Sequence, residues 1–594
     1  MRNLELKHLK NFQWPLLLLL VLVVAAIPVP DFWIYQANYI GIYSITCLGL
    51  VLLTGILGLT SFGQAAFVGI GAYSTAYLTL NFDLSPWLSL FIGLSITTLS
   101  ALVIGLITLR MSGHYLPLAT IAWGLSLYYL MGNIDALGKY DGLQNIKSLS
   151  IASLNLGQGR IFFIFTWICL ILFIRSLSKF LDSRLGRAVR AIKSGSQMPQ
   201  AMGINTFHFK VLIFCLSALL SSFSGWLLAH FQHSVTPSDF GLKMGIEYLF
   251  MTVVGGAGYL WGAVIGAGIY KILDDQLQVL LPMLIGTSGS YEVIVFGMAM
   301  VLILKYLPDG IWSLFGGLNT IEHQHELWAN AEPLPAKTQS NAGEVILKVN
   351  KISKRFGGLL AVNEVSFSIK SGEIKGLIGP NGAGKSTTFN LITGVLPVTS
   401  GEVSFLGKRV EHLSMREISQ LGISRTFQHV KMIPEMSVLE NIAIGAHTRG
   451  HAGITAALTG QDKREESRIF KEAHKQLLRV GLGNYMNEPA GNLPMGPQRL
   501  MEIARALCAD PTLLLLDEPA AGLRFQEKNE LAQVIKNLKA EGVSVLLVEH
   551  DMDLVMKICD SLVVMEFGNV LVEGSPVEIQ NNPQVRAAYL GTEH

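Results

Sequence analysis

The sequence predicts two domains of different class in one chain. An α-helical polytopic membrane domain of about eight to ten spans is followed by an α/β domain built on a phosphate-binding loop. Three observations carry this expectation. The chain has 594 residues, too many for one hydrophobic core. Half of the residues (50%) are hydrophobic and only 15% are charged, with a mean hydropathy of +0.43, and the apolar excess fades after about Gly317. The second half contains Gly379-Pro380-Asn381-Gly382-Ala383-Gly384-Lys385-Ser386, which fits G-x-x-x-x-G-K-[ST]. The expected limits are a membrane domain over 1–319, a linker over 320–342 and the α/β domain over 343–594.

The net charge of +2, with no long basic tract, excludes a strongly basic nucleic-acid binder. The expected surroundings are membrane lipid, with no nucleic-acid partner. Cys47, Cys169, Cys215, Cys508 and Cys559 are scattered without metal-like spacing, and an odd, dispersed set makes no disulfide framework. Reduced thiols and a second half facing the cytoplasm fit this usage. Arg2, Lys7 and Lys10 precede an apolar run, but no A-x-A-like site follows Pro30 and more apolar segments come at once. A retained first span is therefore expected rather than a signal peptide.

Candidate spans are 15–30, 39–57, 62–80, 86–109, 115–131, 161–178, 211–231, 245–273 and 291–307. The stretch Val253–Ala267 holds Gly255, Gly256, Gly258, Gly262 and Gly266. It reads either as one tilted helix or as two half-helices separated by a break. Arg184, Arg187, Arg190 and Lys193 place the loop over 179–210 on the cytoplasmic side by the positive-inside bias. Six candidate spans between the basic N-terminus and this loop satisfy that parity. The three after it leave the C-terminus outside, so one more crossing is expected in the glycine-rich stretch or around Gln276–Leu284. Gln64, His114, Thr120 and Asp141 are polar residues that could line a path, since burying them is costly unless they are used. Pro333, Pro335 and Ser340 mark Leu318–Asn341 as a tether.

In the α/β half, the run Ile374–Ile378 reads as a strand feeding the glycine-rich loop. The loop's backbone N–H groups would wrap phosphates at the N-terminus of the following helix. Lys385 would reach the outer phosphates and Ser386 would ligate Mg²⁺. Leu513–Leu516 reads as a buried parallel strand ending in Asp517-Glu518-Pro519. Asp517 would hold Mg²⁺, and Glu518 would polarise the attacking water.

Further pieces resemble ABC-type ATPases. The resemblance implies that Gln428, in Arg425-Thr426-Phe427-Gln428, senses Mg²⁺, and that His550, in Val548-Glu549-His550-Asp551, meets the γ-phosphate. It also implies that Phe356 stacks on the adenine and that Gly379 to Thr387 bind ATP. The signature segment departs from the usual L-S-G-G-Q. It reads Leu493-Pro494-Met495-Gly496-Pro497-Gln498 ahead of a helix expected over Gln498–Ala509, with no serine hydroxyl. The D-loop, Ala520-Ala521-Gly522-Leu523-Arg524, has no aspartate. In the membrane half, Ser61-Phe62-Gly63-Gln64-Ala65-Ala66-Phe67, Gly69-Ile70-Gly71-Ala72-Tyr73 and Gly255-Gly256-Ala257-Gly258 resemble the permeases of branched-chain amino-acid ABC importers. So does the loop Ser183-Arg184-Leu185-Gly186-Arg187-Ala188-Val189-Arg190-Ala191-Ile192, followed by Ala201-Met202-Gly203-Ile204. In that family this loop supplies the coupling helix, so Arg184, Gly186, Arg187, Arg190 and Gly203 are its candidate residues here. The tail Ile579–Pro583 and Ala588–Gly591 resembles the same family's ATPases.

The resemblance implies an ATP- and Mg²⁺-dependent importer of branched-chain amino acids, with permease and ATPase in one polypeptide of the inner (plasma) membrane. It implies a second permease/ATPase half and a periplasmic or surface solute-binding protein. The altered signature favours a heterodimer with unequal sites over a homodimer. Four rivals stand beside this reading: an importer of urea or amides, an exporter, a regulatory membrane ATPase that gates a partner, and a nucleotide-controlled channel.

Overall fold

The computed structural model describes residues 2–111, 115–151, 154–157, 159–285, 292–315, 328–336, 341 and 343–590. The apolar stretches of the first half become helices. They are α1 (Arg2–Ala26), α2 (Asp31–Leu50, continued by a π-turn over Val51–Ile56), α3 (Gln64–Asn81), α4 (Pro86–Thr108), α5 (Tyr115–Asn133) and α6 (Gly159–Asp182). After them come α7 (Arg184–Lys193), α8 (Gln197–Ala201), α9 (Thr206–Gln232), α10 (Leu242–Gly255), α11 (Leu260–Ile285) and α12 (Glu292–Tyr306). Two short antiparallel pairs join the loops: β1 (Leu143–Gln144) with β4 (Ser234–Val235), and β2 (Ser150–Ile151) with β3 (Leu154–Asn155).

Glycines set how closely these helices approach. A methyl on Gly71 would lie 2.1 Å from the Ser222 carbonyl oxygen, and one on Gly225 would lie 1.9 Å from that of Val68. Helices α3 and α9 therefore meet backbone to backbone. The glycine-rich stretch takes the broken form: α10 and α11 are bent by 118°, and Gly256 between them has φ 116°. A methyl on Gly266 would come within 1.7 Å of the Met251 carbonyl oxygen, so the two half-helices pack tightly at the bend.

Among the described residues, four helices are long and apolar enough to cross a membrane unaided, or five if the bent pair counts as one span. This counts only the helices that pass by length and apolar composition, and the eight to ten spans expected from segment length and parity are not replaced by it. Burial lowers a helix's need for hydropathy. Helix α3, with Gln64, Thr75 and Thr79, is mostly buried among its neighbours, so it needs no lipid-facing hydropathy.

The second half opens with β5 (Val345–Phe356), β6 (Leu359–Lys370), β7 (Ile374–Ile378), α13 (Lys385–Ile392), β8 (Ser400–Phe405), β9 (Lys408–Arg409), α14 (Met415–Leu421) and β10 (Ile423–Arg425). A helical region follows: α15 (Val438–Ala443), α16 (Ile454–Thr459), α17 (Lys463–Arg479) and α18 (Met495–Cys508). The chain then returns through β11 (Leu513–Asp517), α19 (Phe525–Ala540), β12 (Ser544–Val548), α20 (Met552–Ile558), β13 (Ser561–Glu566), β14 (Asn569–Gly574), α21 (Pro576–Asn581) and α22 (Pro583–Leu590). The central sheet has the order β10-β11-β12-β7-β13-β14, parallel except for β14. A second, antiparallel sheet has the order β6-β5-β8-β9. The central strands are buried on both faces. Leu514 and Leu516 pack in one core cluster, while Leu513 and Leu515 pack in the other.

The residues group into two compact units. One is Met1–Phe180 with Phe207–Asn319, and the other is Leu181–Thr206 with Thr320–His594. Helices α7 and α8 thus belong to the α/β unit. Within the stretch read as a tether, Trp328 and Leu334 are buried in that unit's core.

The bend between α10 and α11 yields a prediction. Gly266→Val should lower the thermal melting point of the detergent-solubilised chain by more than 5 °C, because the side chain has no room beside Met251. An unchanged melting point would refute this packing.

Candidate functional site

Strand β7 is wholly buried and ends where the glycine-rich loop begins. Gly379, Gly382 and Gly384 have φ of 147°, 81° and 95°, in the region where a side chain is disfavoured. A methyl on Gly379 would also lie 2.1 Å from the Met565 carbonyl oxygen. The loop folds back over Lys385, which opens α13. Its Nζ donates to the carbonyls of Gly379 (2.8 Å) and Pro380 (3.0 Å). Burial lowers the Lys385 pKa, opposed by the nearby carboxylates of Glu518 and Asp517. Ser386 and Asn381 are exposed, and Thr387 is half-buried.

The two carboxylates follow β11. Asp517 is buried, and burial pushes its pKa up to about 6 despite the Arg425 guanidinium nearby. Its Oδ1 has no hydrogen-bond partner among the described residues. Arg425 sits over the rings of Phe389 and Phe427, each 4.8 Å from its guanidinium carbon. Glu518 has φ 46°, a strained value for a side chain of its size. Its N–H donates to the Val548 carbonyl at 2.8 Å, and its Oε2 accepts from Gln428 Nε2 at 3.0 Å. Lys385, Asp517, Glu518 and Gln428 thus converge at the C-terminal ends of β7 and β11.

His550 is largely exposed just after β12. The buried Glu549 before it accepts from the N–H groups of Ala520 (2.7 Å) and His550 (2.9 Å), tying the His550 turn to the turn after Glu518. Sequence reasoning quoted Glu549 without a role; a carboxylate directly after an apolar strand was its signal. Arg499 was also missed. It donates to the carbonyls of Phe427 (2.8 Å) and Gln428, linking α18 to the glutamine loop. Phe356 is exposed at the end of β5, with Lys354 Nζ 5.3 Å from its ring centre.

The signature helix starts at Met495, earlier than the expected Gln498. Pro497 falls in its first turn, where a missing N–H costs no helical hydrogen bond. Pro494 is the cap residue, Leu493 is buried, and Gln498 Nε2 donates to the Leu493 carbonyl at 2.7 Å. A methyl on Gly496 would lie 2.6 Å from the Glu527 carboxylate, and Met495 lies beside Gly522. No hydrogen bond or ion pair among the described residues joins 493–498 to Gly379–Thr387.

Comparisons with known proteins fit this arrangement. Residues 33–304 match a branched-chain amino acid transport system permease component, 362–521 an ABC transporter, and 569–594 a branched-chain amino acid ATP-binding cassette transporter. The high-affinity branched-chain amino acid transport ATP-binding protein LivG of Salmonella typhimurium is 44% identical over 249 residues, 41% of this chain and 98% of that protein. The chain belongs to the branched-chain amino acid ABC transporter family. BraF of Pseudomonas aeruginosa, with the same description, is 42% identical over 41% of this chain and 98% of its own length. A probable LivG of Archaeoglobus fulgidus is 39% identical over 42% and 96%. A solved ATP-binding cassette of an ABC transporter in its ADP conformation is 34% identical, covering 42% of this chain and 99% of that one, with a TM-score of 0.38. This transporter chain therefore carries a permease and a nucleotide-binding ATPase in one membrane-protein polypeptide.

The cassette also receives the basic helix. Ser183 caps α7, accepting from Gly186 N–H at 3.3 Å. Arg184 donates to the carbonyls of His447 (2.8 Å) and Ala452 (2.9 Å) and lies 3.3 Å from Glu465. Arg187, only 1% exposed, pairs with Glu466 at 2.7 Å and lies 4.7 Å from the Phe470 ring centre. Arg190 reaches Glu440 at 3.4 Å. Gly203 has φ 77°, its carbonyl accepts from Arg416 at 3.2 Å, and a methyl there would strike Thr448. In the sequence, Glu465 and Glu466 look like part of a solvated charged helix, so their role was not legible.

The membrane candidates serve as ties. Gln64 accepts from Ser221 at 2.9 Å, and Thr120 accepts from Phe62 N–H at 3.2 Å. Asp141 is exposed in a loop turn, and His114 lies outside the described residues. His230 was missed. It is buried, with Nδ1 2.6 Å from the Lys147 carbonyl and Nε2 2.9 Å from Thr75 Oγ1. A carbonyl only accepts, so Nδ1 carries the proton.

Asp517 generates a pH prediction. A carboxyl whose folded pKa is raised stabilises the fold at low pH and loses that contribution as pH rises from about 4 to about 6. Without nucleotide, Asp517→Asn should therefore raise the melting temperature more at pH 7.5 than at pH 4.5. Equal gains at both pH values would count against a buried, proton-holding Asp517.

Proposed function

We propose that this chain is half of an ATP-driven importer of branched-chain amino acids in the inner membrane, with its cassette on the cytoplasmic side. A second permease/ATPase half and a periplasmic or surface solute-binding protein complete it. The observation that carries this reading is the joining of α7 to the cassette by Arg184, Arg187 and Arg190. A permease loop held this firmly suits transmission of force between nucleotide and membrane.

In this reading the backbone N–H groups from Gly379 to Thr387 and the Lys385 ammonium hold the ATP phosphates, and Phe356 stacks on the base. Asp517, Ser386 and Gln428 would hold Mg²⁺, and the unpartnered, buried Asp517 Oδ1 fits a cation ligand. Bound there, Mg²⁺ supplies neutralisation of phosphate charge. Glu518 orients a water and takes its proton as the water oxygen bonds to the terminal phosphorus. The bond from that phosphorus to the ADP oxygen breaks, and ADP and phosphate leave. His550, on an exposed turn fixed by Glu549, meets the departing phosphoryl group. ATP drives transport because it binds the closed pair of cassettes more tightly than the open pair.

The signature Leu493–Gln498 would serve the partner's nucleotide. Pro494 stands where a serine hydroxyl is usual, and this supports a heterodimer with one strong and one weakened site. Blocking hydrolysis in this chain and in the partner separately should give unequal losses of ATPase rate. Equal losses would remove the asymmetric reading.

The decisive experiment uses cells lacking their own carriers that express this chain with its genomic neighbours. Labelled leucine, isoleucine and valine should accumulate, with urea as the contrasting solute. Glu518→Gln should lower ATP hydrolysis and uptake together by about 10²-fold or more. Wild-type hydrolysis in that variant would overturn the assignment of Glu518. Urea uptake alone would move the substrate to the amide class, and ATP hydrolysis without uptake of any solute would favour a regulatory ATPase.

A further inference from the structure

Residues 328–336 lie in the chain between the last helix of the membrane half and β5, where the sequence suggests a plain tether. In the cassette unit they are bound along α17. Trp328 is 2% exposed, and its ring centre lies 5.7 Å from that of Phe470. Leu334 is buried in the same core. Lys471 Nζ donates to the carbonyls of Ala331 (2.6 Å) and Ala329 (3.2 Å), and Arg449 donates to that of Pro335 (3.0 Å). Arg468 pairs with Glu332. A flexible spacer needs no such anchors, because its reach depends only on length and composition.

Phe470 is the shared element. Its ring meets Trp328 from the 328–336 segment and also the Arg187 guanidinium from α7. Neighbouring turns of α17 supply Glu465 and Glu466 to α7, and Arg468 and Lys471 to the segment. A cation–π contact depends on the face the ring presents. The indole packed on Phe470 restricts that face, so Arg187 meets a ring already held in place.

We propose that residues 328–336 form a clamp, with Trp328 as a positioning residue that fixes Phe470 and, through it, the seat of Arg187. The clamp keeps α7 and α17 moving as one body during the ATPase cycle. This rests on the reading of α7 as the coupling helix. It assigns the connecting segment a part inside the cassette unit, beside α7.

The test uses the full-length chain in lipid nanodiscs. Hydrogen exchange is followed over α7 and over β11, and leucine uptake per ATP hydrolysed is measured in vesicles of the complete transporter. Trp328→Ala and Trp328→Leu should speed exchange across α7 at least fivefold while leaving β11 unchanged. They should lower uptake per ATP at least threefold with basal hydrolysis within twofold of wild type. Trp328→Phe, which keeps an aromatic face, should restore both values to within twofold. Trp328→Leu keeps an apolar anchor, so the test stands even if Trp328→Ala fails to fold. Unchanged α7 exchange in Trp328→Leu would overturn the clamp. Arg187→Ala separates the two readings. If it leaves uptake per ATP unaltered, α7 is not the coupling helix and the proposal falls with it. If it lowers the ratio while Trp328→Leu does not, the clamp alone fails.

Discussion

A guanidinium removed from water must find its charge answered inside the protein, and Arg187 is where this chain meets that demand through its two terminal nitrogens, its Nε having no hydrogen-bond partner among the described residues. It is nearly inaccessible, yet it faces one carboxylate, one backbone carbonyl and one aromatic ring: Glu466, Asp182 and Phe470. Breaking a buried pair of this kind from one side typically costs about 3–5 kcal/mol, because the other charge is left behind. Such an arrangement contributes little to net stability compared with apolar packing. Its value lies in geometry, since the three partners together constrain where α7 sits. Arg184 and Arg190 extend the same logic to Glu465 and Glu440. Helix α7 is therefore held by directional contacts along its length, and not merely by an apolar face.

The nucleotide cradle follows a different constraint. Its loop needs backbone N–H groups turned inward, and that requires φ values reserved for glycine at Gly379, Gly382 and Gly384. Glu518 adopts a comparable value without being glycine. Strain of this kind persists only where neighbours over-determine it. Here the neighbours are visible: the Val548 carbonyl holds its N–H, and Gln428 holds its carboxylate. Gln428 is itself fixed through its carbonyl by Arg499 of the signature helix. The carboxylate, the glutamine loop and the signature helix thus form one connected chain of hydrogen bonds.

The cradle was legible in the sequence because its chemistry is local. A strand, a glycine loop and a lysine follow one another, and Asp517-Glu518 ends an apolar run. The basic loop was legible as a charged helix, since charge and amphipathic spacing are also local, and its likeness to a coupling helix came from the family resemblance. What receives it was not. Glu465, Glu466 and Phe470 lie some 280 residues away and read as an ordinary amphipathic helix. Hydropathy alone is a weak guide to spans for a related reason: it registers exposure to lipid, and α3 is mostly buried among its neighbours. Pro333 and Pro335 suggested a free tether, whereas burial of Trp328 and Leu334 depends on partners that no local pattern announces.

The altered signature bears on the dimer in a way that composition alone does not show. A helix N-terminus attracts anions through its unpaired N–H groups and its dipole. In α18, Pro497 removes one of those donors, and the Gln498 side chain is turned back onto the Leu493 carbonyl. Gly496 lies under the Glu527 carboxylate, which brings negative charge close to the same helix end. Each feature weakens the pull on a phosphate, and the usual serine hydroxyl is absent as well. In the pairing proposed above, where the signature serves the partner's nucleotide, the deficit would fall on the partner's site and leave the groups proposed for hydrolysis here, Lys385, Asp517 and Glu518, unaltered. The proposed asymmetry would thus rest on the electrostatics of one helix end.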